Sequence, residues 1–475
     1  MNLKGRVFLK NIINKKNISA IILAAGEGKR MKSKTSKVLC ELLFEPMISW
    51  VSRSLQKLGC SNSEICIVCP DDNDSKDLIV LATNNKFCYA TQKQRLGTAH
   101  AVKQAIDFIK NSKNDNILIM LGDAPLVSEN ILKDFYDYHL SENNSLTILS
   151  SEIKNPFGYG RILRDPNNSK NILKIVEELD CNQDQKLISE INSGVMCFKK
   201  QALLIALDKI NNNNIKNEYY ITSAVDILKA ENQKIGAYNC QDEKVVLGAN
   251  TRFELLKMNE IARLEVIKNL AENGIEFIST EGVVISPSVK IGAGSVIYPG
   301  VILKDFCEIG ENCVITSNSF ISKSSIGSGS IIKSSYIDNS KIGENVKIGP
   351  FSNIRPNCDI KSGVKIGDFV EIKNSNIDQN TSVAHLTYIG DSDVGQKVNF
   401  GCGCVTVNYN GLEKHRTIIG NDCFIGCNTN LIAPVKLGDG VYTAAGSTIT
   451  DDIPDGAMSI ARSRQINKTN WKLKK

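Results

Sequence analysis

Long hydrophobic runs are missing from these 475 residues: no stretch of about eighteen consecutive apolar side chains occurs, so nothing in the chain is read as spanning a membrane. Tryptophan (2) and histidine (4) are scarce. A three-histidine zinc site is not expected, because the C-terminal repeat described below holds only His385 and His415. The fifteen cysteines are scattered without the pair-of-pairs spacing of a zinc site, and Cys402 and Cys404 stand too close in a strand to be a standard ligand pair. Free thiols in a reducing cytosol account for them, and a cytoplasmic location is expected. Residues 1–17 contain no acid, no signal-peptide apolar core and no small-residue cleavage site, and read as an N-terminal extension. A one-signed charge stripe is also absent. A net charge of +6, with 23% charged residues spread along the chain, suits anionic small molecules and implies no nucleic-acid or membrane partner.

What is present is a period. From Ile285 an aliphatic residue returns at every sixth position through Ile291, Ile297, Leu303, Ile309, Ile315 and Ile321. It resumes from Ile342 to Ile372, continues after a single five-residue step through Ile377, Val383 and Ile389 and after another through Val394, Phe400 and Thr406, and runs from Ile419 to Ile449. Six matches neither a helix nor a half-buried strand, but it fits a coil of short strands with one side chain per strand pointing to the axis. Three strands make a triangular turn, and the Gly that often follows the inward residue suits a corner where a Cβ would be in the way. A parallel β-helix is predicted. Its flat faces pack well against copies of themselves, so a homotrimer is expected.

Upstream, Ile18 to Leu23 reads as a buried strand feeding the Gly-rich turn Ala24-Ala25-Gly26-Glu27-Gly28, where backbone N–H groups can receive a phosphate. Arg30 and Lys37 follow closely. Strand and helix patterns then alternate (Ile65 to Cys69, Ala99 to Ile109, Ile117 to Leu121), which implies a parallel sheet with ligands beyond the carboxyl ends of its strands. Asp123 falls at such an end, in Gly122-Asp123-Ala124-Pro125, where a carboxylate could hold Mg²⁺ against a nucleotide phosphate. Residues 251–274 read as a linker helix, with Leu255, Leu256, Ile261, Leu264, Ile267 and Leu270 at mixed three- and four-residue spacing.

LAAGEGKRM, Lys37, QKQRLGTAHA, LGDAPL, Tyr159-Gly160-Arg161, IVEELD, EINSG, Tyr219-Tyr220-Ile221-Thr222 and LGANTR occur in the order seen in sugar-nucleotide pyrophosphorylases. With the repeat behind them, residues 18 to 470 resemble the bifunctional bacterial N-acetylglucosamine-1-phosphate uridyltransferase/glucosamine-1-phosphate acetyltransferases. The resemblance implies an α/β nucleotidyltransferase, Rossmann-like with a mixed, mostly parallel sheet, over 18–250, followed by a left-handed parallel β-helix of hexapeptide repeats over 275–475. It implies two reactions: acetyl-CoA-dependent acetylation of glucosamine-1-phosphate behind, then uridylyl transfer from UTP to N-acetylglucosamine-1-phosphate in front.

On that resemblance Leu23, Ala24, Ala25, Gly26, Gln92, Gly97 and Thr98 would hold the nucleotide, and Gly160, Glu177 and Asn192 the sugar. Asp123 and Asn250 would bind Mg²⁺. Lys37 and Arg30 would offset the repulsion between two anionic reactants and the charge growing on the leaving pyrophosphate. Ser36, Cys40 and Leu179 depart from the family pattern, as does Lys29.

In the coil, Arg355 and Lys373 are eighteen residues apart and should stack in successive turns, where an anion such as a sugar phosphate would relieve their repulsion. His385 can take a proton from an amine at neutral pH and is the expected general base. By resemblance Tyr388 and Asn399 join the sugar-phosphate site with Lys414. Asn408, Tyr409 and Lys414, in the polar excursion Val407 to Thr417, would reach across a subunit boundary. Acetyl-CoA would meet Asn408, Tyr409, Cys402, Cys427, Ala445 and Arg462, with thiols at two positions where the family usually carries Ala and Ser. Two rival readings are a nucleotidyltransferase whose coil only assembles or regulates, and a non-enzymatic scaffold. The Arg355, Lys373, His385 and Lys414 group argues against the first, and Lys37, Asp123 and Asn250 against the second.

Overall fold

The computed structural model describes residues 17–26, 31, 36–166, 168–469 and 471. Arg30, singled out above, lies outside them. The chain divides into two compact units, 1–262 and 263–475.

The first unit is built on a nine-stranded sheet. In chain order its strands are β1 (Ile18–Leu23), β2 (Ile65–Pro70), β3 (Cys88–Gln92), β4 (Asn116–Leu121), β5 (Leu146–Glu152), β6 (Arg161–Asp165), β7 (Asn168–Val176), β8 (Glu190–Lys199) and β9 (Ile235–Asn239). Their spatial order is β3-β2-β1-β4-β8-β5-β9-β7-β6. The strands β3, β2, β1 and β4 run parallel. The strand β8 enters antiparallel between β4 and β5, and β7 and β6 close the far edge antiparallel, so the sheet is mixed.

Helices cover both faces, which is why β1 and β4 are nearly continuous apolar runs. Ile21, Val68, Ile119 and Phe198 pack with Val102, Leu203 and Val225, whereas Ile22, Ile67, Met120 and Cys197 pack with Val51, Leu55 and Phe135. The helix expected over Ala99 to Ile109 is two, Thr98–Gln104 and Ile106–Asn111, parted at Ala105. His139 lies inside the helix Glu129–Ser141, 1% exposed, with its ring bonded to Thr147 Oγ1 at 2.8 Å and Asn116 Oδ1 at 3.2 Å.

The long helix spans Arg252–Glu272, and the division between the units falls within it. Leu255, Met258, Ala262 and Ile267 are buried along it, whereas Leu256 and Leu264, read as apolar-face residues, are exposed. A strict three-to-four spacing from Leu255 runs through Met258 and Ala262 and passes over both leucines. Among the described helices none is long and apolar enough to cross a membrane.

The second unit is a coil of strands two to four residues long, stacked into three parallel sheets of eleven, ten and nine strands. One ladder joins Ile285, Leu303, Ile321, Ile337, Ile354, Ile372 and Ile389 in register, every one 0% exposed. Each such burial contributes roughly 1.5–3 kcal/mol. The inward threonines satisfy backbone instead: Thr406 Oγ1 accepts from Gly390 N at 2.7 Å, and Thr443 Oγ1 accepts from Gly426 N at 2.9 Å.

The period read from the sequence breaks between Ile321 and Ile342, where five-residue steps put Ile326, Ile332 and Ile337 on the axis. Ile291, counted as inward, is only half-buried. The Gly after an inward residue is needed for close stacking, since a Cβ on Gly310 would meet Ser328 N at 2.6 Å. The left-handed corner lies two residues on, at Asn312, with φ 54°.

Candidate active sites

At the carboxyl end of β1, Ala25 and Gly26 of the turn line a cavity of about 350 Å³ with Leu23, Gln92, Gly97, Thr98, Lys37 and Asp123. Ala24 does not line it, for its N–H is spent on Val68 O at 2.9 Å and its side chain is fully buried. Arg95, not singled out from the sequence, braces the turn by donating from Nε to Ala25 O at 3.0 Å. Gln92 is 5% exposed at the end of β3, and its Nε2 reaches Gly97 O at 3.2 Å. Gly97 has φ 111° and a Cβ there would lie 2.5 Å from Tyr219 O, so only glycine fits. Thr98 Oγ1 accepts from Ile221 N at 3.0 Å, tying this loop to the Tyr219-Tyr220-Ile221-Thr222 segment.

A second cavity of about 340 Å³ shares Leu23, Thr98, Leu121 and Asp123 and extends to Gly160, Glu177, Asn192, Tyr220, Thr222 and Asn250. Glu177 accepts from Thr222 Oγ1 at 3.0 Å. Burial raises its pKa above the usual carboxylate range despite that bond. A Cβ on Gly160 would come 3.4 Å from Glu177 Oε2, and Gly160 O accepts from Asn192 N at 2.9 Å. The sequence did not reveal that Arg161, 1% exposed, pairs with Glu178 at 2.8 Å behind this wall. Leu179 next to it is exposed.

Where the two cavities meet, three side chains converge. Lys37 opens a short 3₁₀ turn, Lys37–Leu39, pinned by buried Val38. Its ammonium donates to Asp123 Oδ2 and, at 2.9 Å, to Asn250 Oδ1. Asp123 follows β4, and Asn250 precedes the long helix, where Glu254 accepts from Asn250 N at 2.7 Å and Thr251 N at 2.8 Å. A carboxylate and an amide oxygen facing one cation form a hard-oxygen pair, the donor type Mg²⁺ takes from proteins.

On the coil, Ile354 and Ile372 are in register, so Arg355 and Lys373 follow one above the other. Lys414, carried by the excursion, lies beside Lys373 of the same chain. Lys414 foremost, then partial burial and Arg355, lower the Lys373 pKa against the opposing pull of Asp391. Asp391 is 5% exposed. Burial alone would raise it, but hydrogen bonds from Asn374 and Asn408 and the charges of Lys373 and Lys414 hold its carboxyl below the usual range. Tyr388 Oη overhangs Gly390, close to Asn408. Arg355 also pairs with Glu371 at 2.9 Å.

Asn408, expected to reach outward, is instead buried and committed to Asp391 of its own chain. Tyr409 is exposed, its hydroxyl donating to Gly411 O at 2.7 Å. His385 stands three residues before Tyr388 at the preceding corner, its ring 3.1 Å from Asp368. Asn399 faces outward from the neighbouring sheet, in register with Ser382 and Phe424. Along that edge Phe400 and Ile425 stack, and then Ile425 and Thr443, so Cys402, Cys427 and Ala445 occupy one corner of successive turns. Arg462 Cδ lies 3.7 Å from where a Cβ on Gly446 would be. All fifteen cysteines are free, and Cys427 alone among them is exposed.

A nucleotidyl transferase family model matches residues 19–244, and a bacterial transferase hexapeptide model (six repeats) matches 288–323, 339–374 and 416–451. The bifunctional protein GlmU of Clostridium kluyveri is 46% identical over 456 residues, 96% of this chain and 98% of that protein. The chain belongs to the GlmU family. The GlmU of Clostridium tetani is likewise 46% identical over 96% of this chain and 98% of its own. That of Caldicellulosiruptor saccharolyticus is 44% identical over 97% and 98%. Like its GlmU relatives the chain is a bifunctional enzyme, a uridylyltransferase in front and an acetyltransferase on the hexapeptide coil.

Proposed function

We propose that the chain makes UDP-N-acetylglucosamine in two steps, with 18–250 as the uridylyltransferase domain and 275–475 as the acetyltransferase domain. In the first step the amine of glucosamine-1-phosphate attacks the acetyl carbon of acetyl-CoA. The C–S bond breaks, and the proton lost from nitrogen passes through His385 to the departing thiolate. Arg355, Lys373 and Lys414 hold the sugar phosphate, with Tyr388 and Asn399 on the sugar, and Cys402, Cys427, Ala445 and Arg462 line the acetyl-CoA groove with Tyr409.

In the second step an oxygen of the N-acetylglucosamine-1-phosphate phosphate attacks the α-phosphorus of UTP and pyrophosphate leaves. Leu23, Ala25, Gly26, Gln92, Gly97 and Thr98 hold the nucleotide, Gly160, Glu177 and Asn192 the sugar, and Lys37 with Arg30 the phosphates. The Asp123 and Asn250 oxygens suit Mg²⁺, which when bound would neutralise charge on the phosphates. The observation that carries this reading is the meeting of Lys37, Asp123 and Asn250 at the wall shared by two cavities.

The coil supports a homotrimer: exposed Phe351, Phe369 and Leu386 stand at one corner of successive turns, and the two rings stack at 5.6 Å. Such an apolar ladder suits contact with a second copy. Its substrates and free thiols fit the cytoplasm. The test is incubation with glucosamine-1-phosphate, acetyl-CoA, UTP and Mg²⁺ under mass spectrometry. UDP-N-acetylglucosamine with equal coenzyme A and pyrophosphate is expected; UDP-glucosamine, or no nucleotide sugar, would contradict it.

A further inference from the structure

We propose that Asp368 is a positioning residue that fixes the tautomer of His385 and so decides which ring nitrogen serves as base. This rests on the reading of His385 as the base for acetyl transfer. The strands Lys365–Asp368 and Ser382–His385 are parallel neighbours, with Asp368 directly in register with His385. Their corner has no slack. A Cβ on Gly367 would fall 1.8 Å from Ala384 O, and Leu386 N donates to Asp368 O at 3.1 Å. Thr387 Oγ1 donates to His385 O at 2.6 Å from the other side.

With both backbones set, His385 Nδ1 comes to 3.1 Å from Asp368 Oδ1. The Asp368 carboxyl is held below the usual range, by its own backbone N–H first and then by the His385 bond, so it is an acceptor and not a donor at neutral pH. Only a protonated Nδ1 can donate to it. Nε2 is then left with its lone pair, free to take the amine proton as the N–C bond forms and the C–S bond breaks. A neutral histidine side chain free in water prefers its proton on Nε2, the wrong nitrogen for this task. The carboxylate reverses that preference, much as an orienting acid does in a hydrolase triad.

The test uses the full chain with ¹⁵N-labelled histidine, the His385 signals being identified by their loss in His385→Gln. Asp368→Ala should move the His385 proton from Nδ1 to Nε2 and lower the acetyl-transfer kcat by about tenfold to a hundredfold, with the KM for glucosamine-1-phosphate within about twofold. Asp368→Asn can turn an amide N–H towards Nδ1 and should lose the tautomer bias with Asp368→Ala, whereas Asp368→Glu keeps the carboxylate and should retain both the tautomer and much of kcat. Thermal unfolding followed by circular dichroism on the same samples reports that the coil of each variant is folded. The proposal is overturned if Asp368→Ala leaves the tautomer unchanged, whether or not kcat falls, or if Asp368→Glu and Asp368→Ala are equally impaired. If His385→Gln itself retains acetyl transfer, it is the base reading that fails, and the tautomer signals still report on the Asp368 bond.

Discussion

The ammonium of Lys37 and the side-chain oxygen of Asn250 lie 2.9 Å apart across 213 positions of sequence, with Asp123 on the same nitrogen. The two oxygens that suit Mg²⁺ are therefore engaged by a cation of the protein's own. Lys37→Met removes the competitor as well as the charge facing the phosphates. Uridylyl transfer should fall by roughly a hundredfold or more, whereas Mn²⁺, titrated by electron paramagnetic resonance without nucleotide, should bind tighter than to the parent chain. Equal or weaker Mn²⁺ binding would refute the competition.

Gly97→Ala tests the nucleotide loop. Its left-handed φ and the Tyr219 carbonyl 2.5 Å from the added carbon force the loop to move. A stability loss of about 1–3 kcal/mol is expected in chemical denaturation, with the KM for UTP raised and acetyl transfer untouched.

His139 gives the first unit an acid-sensitive core. Burial first, and Lys199 second, bring its pKa from 6.5 down to about 4. The unfolded chain takes up a proton below pH 6.5 that the folded chain refuses until near pH 4. Stability from this group is thus whole above pH 6.5 and is lost as pH falls towards 4, by roughly 3 kcal/mol in all. Urea midpoints for the front unit, followed between pH 7 and 4, should fall with that course, and His139→Gln should flatten it.

Cys427 is the exposed thiol, and its sulfur lies 2.9 Å from where a Cβ on Gly401 would be, on the corner shared with Cys402 and Ala445. Iodoacetamide should label it before the others. Labelling should abolish acetyl transfer, spare pyrophosphate release, and be slowed by acetyl-CoA. Peptide mapping against the two activities checks each point.

The architecture was largely legible because period and motif order are local signals: Ile354 and Ile372 reach the axis as the six-residue spacing requires. The acidic partners were not legible. A uniform turn of eighteen residues would set His385 above Gly367, but the turn here has seventeen, and Asp368 receives it instead. Asp391 escaped notice for a related reason, since its neighbour Lys414 arrives on an excursion whose path no period describes. Arg161 and Glu178 pair across a hairpin whose register a β-bulge shifts.

The central claim, two independent sites in one chain, is tested most directly by assaying coenzyme A release and pyrophosphate release on Asp123→Asn and His385→Ala side by side. Asp123→Asn should acetylate at the parent rate and release almost no pyrophosphate, and His385→Ala should do the reverse when supplied with N-acetylglucosamine-1-phosphate. Loss of both activities in either variant, or of neither, would contradict the account.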